Sequence, residues 1–446
     1  MKYHSEEARS FLDSFSSKSY LDIFNIRSRV EQRDWERFAI TDVKDEVFSH
    51  ENAFPRSKNV MYVHIPFCMT RCGYCPYYTE PYDSRRLVGA YLEALEHEID
   101  GIKQMPYLQS TQFASLYWGG GTPSVLHADE IAHLYDKITS SFHFEAHAEM
   151  SFEANPATLT ESKIATLRQV GFNRVSLGVQ TFSQRLLREM ECAHTPEHAR
   201  RVIERLLDAG LTVNIDCIYG LIGQTNADVD EDVDVLGSFR GPIQTTYFPL
   251  RIAENTPLHA ELARRGGMSL HEHQTRLLEL DARIEKKLTG NGFVREECPV
   301  FYHSKGGSDH KYHSTETRVV GVGSSAGTLL DRGESSNFPN VSEYIAAVVN
   351  GQDTALSGIV LSEQQAHERF VLYRILYMNR SLPAFRQILD ERFQEYYGKP
   401  VDGLYDKVLA DMVKLRFVKM DGERVVLTDR LWHILNRVKI GMPSIL

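Results

Sequence analysis

The sequence predicts an α/β protein built on a partial (β/α)6 barrel, and three observations lead there. Six short apolar runs between residues 60 and 250 alternate with amphipathic stretches. Glycine-rich or polar motifs come directly after several of those runs. At 446 residues, with 42% apolar and 25% charged side chains, the chain is long enough for a large core with smaller appendages, and its composition is that of a folded, soluble protein.

The elements follow in order. Residues 1 to about 59 read as a polar, mostly helical lead-in. The six runs, Val60 to Phe67, Ser115 to Trp118, Glu149 to Glu153, Arg174 to Gln180, Thr212 to Ile218 and Thr245 to Leu250, have strand length. Between them Arg85 to Met105, Ala128 to Ser141, Glu161 to Val170, Pro196 to Ala209 and Ala227 to Leu236 carry apolar residues at helical spacing. Alternating strand and helix implies a parallel sheet with right-handed crossovers, whose reactive site gathers at the strands' C-terminal ends. After Leu250 the alternation stops. Glu272 to Leu288 reads as a helix, and Val319 to Gly327 as a strand running into a glycine-rich turn. Helical patterns over Ala366 to Tyr377, Pro383 to Tyr397 and Leu404 to Leu415 precede a hairpin, Phe417 to Leu427, turning at Asp421-Gly422, and a helix from Asp429. That final arrangement suggests a winged-helix module, which serves DNA binding or, as the net charge of −10 favours, packing or a lid.

No basic stretch leads into an apolar one at the start, and nowhere do about twenty apolar residues run together. The expectation is a cytoplasmic protein without membrane insertion and without nucleic acid as its main partner. Six cysteines in so long a chain make no disulfide framework, and three of them, Cys68, Cys72 and Cys75, fall within eight positions just after the first predicted strand. Three thiolates on one loop can each take one iron of a cubane cluster and leave the fourth iron open to a chelating substrate. The competing chemistry is structural zinc, which prefers four ligands; no second cysteine or histidine pair completes such a set, although His64 lies close.

Trp118-Gly-Gly-Gly-Thr-Pro123 follows the second run, and its glycines would let a ligand approach exposed backbone N–H groups. Glu153, Gln180 and Asp216 end or nearly end the third, fourth and fifth runs. A polar side chain there must find a partner, either a ligand's ribose or ammonium group or, in the plainer reading, a helix cap or a neighbour across the barrel.

Val63-His-Ile-Pro-Phe-Cys68, Gly119-Gly-Gly-Thr-Pro123, Glu153, Gly178-Val-Gln180 and Ile215-Asp-Cys-Ile-Tyr-Gly-Leu221 together resemble the oxygen-independent coproporphyrinogen III oxidase-like family of the radical S-adenosylmethionine (SAM) superfamily, with its haem-chaperone and class C methyltransferase relatives. The resemblance runs from about Tyr62 to Gly327. It implies a 4Fe-4S cluster on Cys68, Cys72 and Cys75, and one or two SAM molecules. Tyr62, Gly120 and Glu153 would contact the SAM at the cluster; Tyr74, Gly121, Thr122, Gln180 and Asp216 would line a second; Gly321 to Gly327 would close the site. It further implies a domain order of helical extension (1–59), radical SAM partial barrel (60–258), family-specific extension (259–358) and winged-helix-like domain (359–446).

By that resemblance the protein cleaves SAM to a 5'-deoxyadenosyl radical and acts on a tetrapyrrole or similar conjugated substrate, as an oxidase-like enzyme, a methyltransferase of the kind that opens haem anaerobically, or a haem chaperone without turnover. An electron donor such as flavodoxin or ferredoxin is implied as partner. Two positions depart from the oxidase: Tyr77 stands where a further cysteine is expected, and Cys192 where an arginine would pair with a second SAM's carboxylate. Cys192, Cys217 and Cys298 read as buried thiols, with a nucleophile or hydrogen donor as the sharper alternative at Cys192. His64, His303, His310 and His313 are the histidines considered as axial haem ligands.

Overall fold

The computed structural model describes residues 43–51, 59–82, 84–250, 252, 256–264, 270–297, 300–303, 318–330, 333–360 and 382–414, with single positions between 363 and 371 and most of 416–427. The lead-in before residue 43, the helix expected from Asp429, most of Ala366 to Tyr377, and Cys298, His310 and His313 lie outside the described residues.

Strands are numbered along the chain: β1 Asn59–Ile65, β2 Phe67–Cys68, β3 Glu80–Pro81, β4 Gln112–Gly120, β5 His143–Ala154, β6 Arg174–Gln180, β7 Thr212–Tyr219, β8 Ile243–Pro249, β9 Phe293–Glu297, β10 Val300–His303, β11 Arg318–Val322, β12 Gly327–Leu329, β13 Gly333–Asn337, β14 Ala355–Val360, β15 Val418–Asp421 and β16 Arg424–Leu427. Among the described residues one sheet holds twelve of them in the order β14-β13-β12-β11-β1-β4-β5-β6-β7-β8-β10-β9. Its central six, β1-β4-β5-β6-β7-β8, are parallel throughout, as the alternation of strand and helix requires.

The connecting helices begin where their sequences supply caps. Ser84 accepts the N–H of Leu87 to open Arg85–Ile102, Thr195 with Pro196 opens Pro196–Asp208, and a Thr225–Asp228 capping box opens Asn226–Ser238. Ala199, Val202, Ile203 and Leu206 form one buried face of the Pro196–Asp208 helix. Each of its larger side chains contributes roughly 1.5–3 kcal/mol by leaving water.

The sheet's edges differ from the sequence expectation. β9 and β10 add an antiparallel pair beside β8, and β11 joins β1 in parallel, with β12, β13 and β14 following antiparallel. The strand expected to run from Val319 into a glycine-rich turn does so: β11 ends at Val322, the chain turns at Gly323 to Ala326, and Gly327 opens a further strand, β12. That turn is held by a buried carboxylate, Glu98. It accepts from Gly323 N–H at 2.7 Å, Tyr344 at 2.6 Å, Thr354 at 2.6 Å and Asn337 at 2.9 Å, and it pairs with Lys44 of the Val43–Phe48 helix. One side chain of the Arg85–Ile102 helix thereby binds the late glycine turn and the Val43–Phe48 helix together.

The C-terminal helices Leu382–Tyr397 and Leu404–Lys414 lead into the β15–β16 hairpin, which turns where Asp421-Gly422 marks it.

Candidate functional site

The C-terminal ends of the central strands carry the expected residues to one place. Cross-strand register sets Tyr62 beside Tyr117, Glu153 beside Ser176, and Gly178 beside Asp216. On one face of the sheet from β5 to β8 lie Glu149, Ser151, Glu153, Arg174, Ser176, Asn214, Asp216, Gln244 and Thr246, while the alternate positions pack into the core beneath the helices. This face is satisfied by its own hydrogen bonds. Arg174 donates to Gln244 at 2.9 Å and Ser151 at 3.2 Å, Ser151 donates to Glu149 at 2.8 Å, and Thr246 donates to Asn214 at 3.0 Å.

Asp216 sits above that layer, accepting from Ser176 and Asn214, each at 2.7 Å. Burial pushes its carboxyl up to about 6, against the pull of those bonds and of Arg174. Glu153 accepts from Tyr117 at 2.7 Å and from the Gly120 N–H at 3.2 Å. Burial raises it to about 7; the Tyr117 bond opposes this and the Asp216 carboxylate adds to it. Two acids at one strand rim, both held above their ordinary range, fit a site that receives a cation, because an ammonium or sulfonium group would restore their charge.

Tyr62 stacks on Tyr117 at 6.2 Å between ring centres and shares a 3.0 Å hydrogen bond with His64 Nδ1. His64 Nε2 is buried with no partner, and burial lowers the ring to about 4. Opposite it stands Gly120, at φ +119°, where a Cβ would lie 2.8 Å from that nitrogen. A Cβ on Gly119 would lie 2.9 Å from the Glu153 carboxylate. The glycines therefore admit site side chains at close range, and their backbone is less open than the sequence suggests. Gly120 N–H is given to Glu153, Gly121 N–H to Ile65 O at 2.9 Å, and Thr122 N–H to Phe67 O at 2.8 Å. Gly327 opens β12 opposite Ser336, and its neighbour Ala326 packs with Tyr62 and Tyr117, so the late glycine segment borders the same wall.

Cys68 closes β2, and Cys72 and Cys75 follow on the loop, joined by a turn from Cys75 N–H to Cys72 O at 3.1 Å. Cys68 Sγ lies 3.4 Å from Thr122 Oγ1. Burial raises all three thiols, Cys68 to about 11, and each sits near enough to another to discourage a second thiolate. A bound metal would reverse that preference. Among the described residues no three His, Cys, Asp or Glu side chains are gathered so as to hold one metal ion. A cubane asks for a different arrangement, one thiolate per iron, and three partly exposed thiols on a single loop have the right donor chemistry for it.

Tyr74 hydrogen-bonds Cys72 and packs on Leu186, Ile218, Leu221 and Leu250. Cys192 is half-buried, and burial, with Cys72 nearby, pushes its thiol up to about 12. Cys217 is fully buried in the core as a plain thiol. His303 packs edge-on against Phe293 on the outer hairpin. Sequence reasoning passed over Arg174, Ser176 and Asn214 as site residues. Their signal was a polar side chain at every second position of otherwise apolar strands.

Among the described residues, no helix is long and apolar enough to cross a membrane.

Residues 62–236 match the radical SAM superfamily model. Heme chaperone HemW of Lactococcus lactis is 28% identical over 85% of this chain and 96% of its own length, and HemW of Bacillus subtilis is 27% identical over 83% and 95%. Oxygen-independent coproporphyrinogen III oxidase of Salmonella typhimurium is 27% identical over 82% of this chain and 84% of that protein. The solved structure of the oxidase HemN from Escherichia coli superposes with a TM-score of 0.65 at 24% identity, covering 86% of this chain and 90% of that one, and so shares the mixed α/β fold and its parallel sheet. The chain belongs to the radical SAM superfamily, within its group of HemW-like and HemN-like, oxygen-independent coproporphyrinogen III oxidase-like proteins.

Proposed function

We propose that this chain binds a 4Fe-4S cluster through Cys68, Cys72 and Cys75, holds SAM against it, and uses that centre in haem handling of the kind named in its HemW relatives. The observation that carries the reading is the convergence of the three-thiol loop, the Tyr62–Tyr117–Glu153 wall and Asp216 at one rim of the parallel sheet. A cluster with one open iron supplies a single electron and a docking point for SAM's amino and carboxylate groups. Tyr62, Gly120 and Glu153 are the residues assigned to that SAM, with the Glu153 carboxylate facing its positive charge. Tyr74, Gly121, Thr122, Gln180 and Asp216 are assigned to a second ligand at the same rim, and Gly327 to the segment that closes it.

Haem handling is preferred over coproporphyrinogen oxidation on two grounds. The match extends over 96% of one HemW and 95% of another, and Tyr77 occupies the place of the oxidase's further cysteine. The domain order given above, a tetrapyrrole ligand and a flavodoxin- or ferredoxin-class electron donor belong to the same proposal. The test is anaerobic reconstitution with iron and sulfide, followed by reductant, labelled SAM and either haem or coproporphyrinogen III. Stable haem binding with slow, substrate-independent SAM cleavage supports the reading; carbon dioxide release from a propionate overturns it.

A second reading, methyl transfer, is favoured by Gln180 and Asp216, both of which adjoin Gly178, Asp216 as its register partner and Gln180 through its side-chain amide, where a second SAM would lie. Label passing from methyl-labelled SAM to the substrate selects it.

A further inference from the structure

Between Val179 and Phe182 the chain makes a turn that its local sequence does not favour. Gln180 has φ +70°, and the Thr181 N–H donates back to Val179 O at 2.9 Å, a three-residue turn centred on a left-handed, non-glycine residue. Such a conformation persists only where its surroundings over-determine it, and strained positions of this kind collect at ligand sites.

Here the surroundings act from both sides. Asp232, fully buried on the Asn226–Ser238 helix, accepts the Phe182 N–H at 2.6 Å and the Thr181 hydroxyl at 2.9 Å, and is itself steadied by Tyr247 at 3.1 Å. Thr181 Oγ1 then accepts the Ser183 N–H at 3.1 Å. On the other flank the buried His194 places Nε2 3.1 Å from Val179 O, a geometry that makes Nε2 the donor. The Phe182 amide and Thr181 hydroxyl after Gln180 and the Val179 carbonyl before it are thus all held by side chains outside the turn. None of these bonds reaches the Gln180 side chain. Its amide folds over Gly178, where a Cβ would lie 2.9 Å from Nε2, and Gly178 is the register partner of Asp216.

We propose that Asp232 and His194 are positioning residues which hold Gln180 in this turn so that its amide is presented to a ligand beside Asp216. The inference rests on the reading of Gln180 as a SAM contact. Neither positioning residue needs to touch the ligand. Asp232 acts through the Phe182 amide and the Thr181 hydroxyl, and His194 through the Val179 carbonyl.

A double-mutant cycle on the reconstituted holoprotein tests it, with SAM affinity and hydrogen exchange at residues 181–183 as the two readouts. Asp232→Ala is expected to weaken SAM binding tenfold or more and to speed exchange of the Phe182 amide. Asp232→Asn, which keeps a carbonyl oxygen for that amide, is expected to recover most of the loss, and it keeps the test usable if the alanine variant does not fold. Asp232→Ala should add nothing in a Gln180→Ala background. An equal loss in both backgrounds, or unchanged exchange at Phe182, overturns the proposal. If Gln180→Ala binds SAM like the wild type, the contact reading is what fails; faster Phe182 exchange in Asp232→Ala then still supports the clamp, and unchanged exchange overturns it.

Discussion

Tyr117 donates its hydroxyl to Glu153 Oε1 at 2.7 Å, so a tyrosine on one strand governs the charge of a carboxyl on the next. Without that bond, burial and the Asp216 carboxylate act on Glu153 with less opposition, and its pKa rises above about 7. Tyr117→Phe is therefore expected to weaken SAM binding at pH 7 by about tenfold, one charge-assisted contact's worth. The defect should shrink as pH rises and Glu153 ionises. Glu153→Gln should be weaker at every pH, and titrations of SAM at pH 6.5 and 8.5 separate the two.

At Gly120 the expected outcome is steric. Alanine at φ +119° is strained, and its methyl would meet the His64 ring at 2.8 to 2.9 Å. Gly120→Ala should cost about 1–3 kcal/mol of stability and disturb the Gly120–Glu153 bond. Chemical denaturation, paired with SAM titration, measures both.

The Glu98 hub makes a prediction far from the ligand. Burial pushes this carboxyl up, but the Lys44 ammonium with the Thr354 and Tyr344 hydroxyls overcomes that and holds it below the ordinary range. Glu98→Ala leaves Lys44 buried without its partner and should destabilise by about 3–5 kcal/mol. Because the folded pKa is depressed, the stability it contributes is present above the ordinary value of 4.5 and lost as pH falls below it. Denaturation of wild type and variant should converge in acid.

Asp232 has the opposite sign. Burial, against hydrogen bonds from three donors, the Phe182 N–H and the Thr181 and Tyr247 hydroxyls, raises it from 3.8 to about 7. The folded protein keeps this proton where the unfolded chain has lost it, so the contribution is complete below the ordinary value and disappears as pH rises through about 7. Asp232→Asn, which does not titrate, should gain stability relative to wild type across that window, by at most ~4 kcal/mol. A constant difference between pH 5 and 8 contradicts the assignment.

The central strands were legible in the sequence because each is a short run with apolar residues at least at alternate positions, set between amphipathic helical stretches; Arg174–Gln180 coincides with β6 residue for residue. The site's main side chains were legible too, since a glutamate or aspartate ending such a run has few ways to be satisfied. What local pattern did not carry was pairing between distant segments. The Gly333–Asn337 strand is Gly-Glu-Ser-Ser-Asn, with no apolar alternation, and becomes a strand only between β12 and β14. The partners of Glu98 lie as far away as Thr354, and the clamp on Gln180 joins residues some fifty positions apart, so neither leaves a periodic trace. Nor could a glycine run reveal that its N–H groups are given to Glu153, Ile65 and Phe67.

The most direct test of the account is the electron paramagnetic resonance spectrum of anaerobically reconstituted, reduced protein, recorded with and without SAM, for the wild type and for Cys72→Ala. The account predicts a reduced cubane signal from about four irons per chain that shifts when SAM is added, and its loss in the variant. A wild type without that signal, or a Cys72→Ala protein that keeps both the signal and its response to SAM, contradicts the assignment of the three thiols.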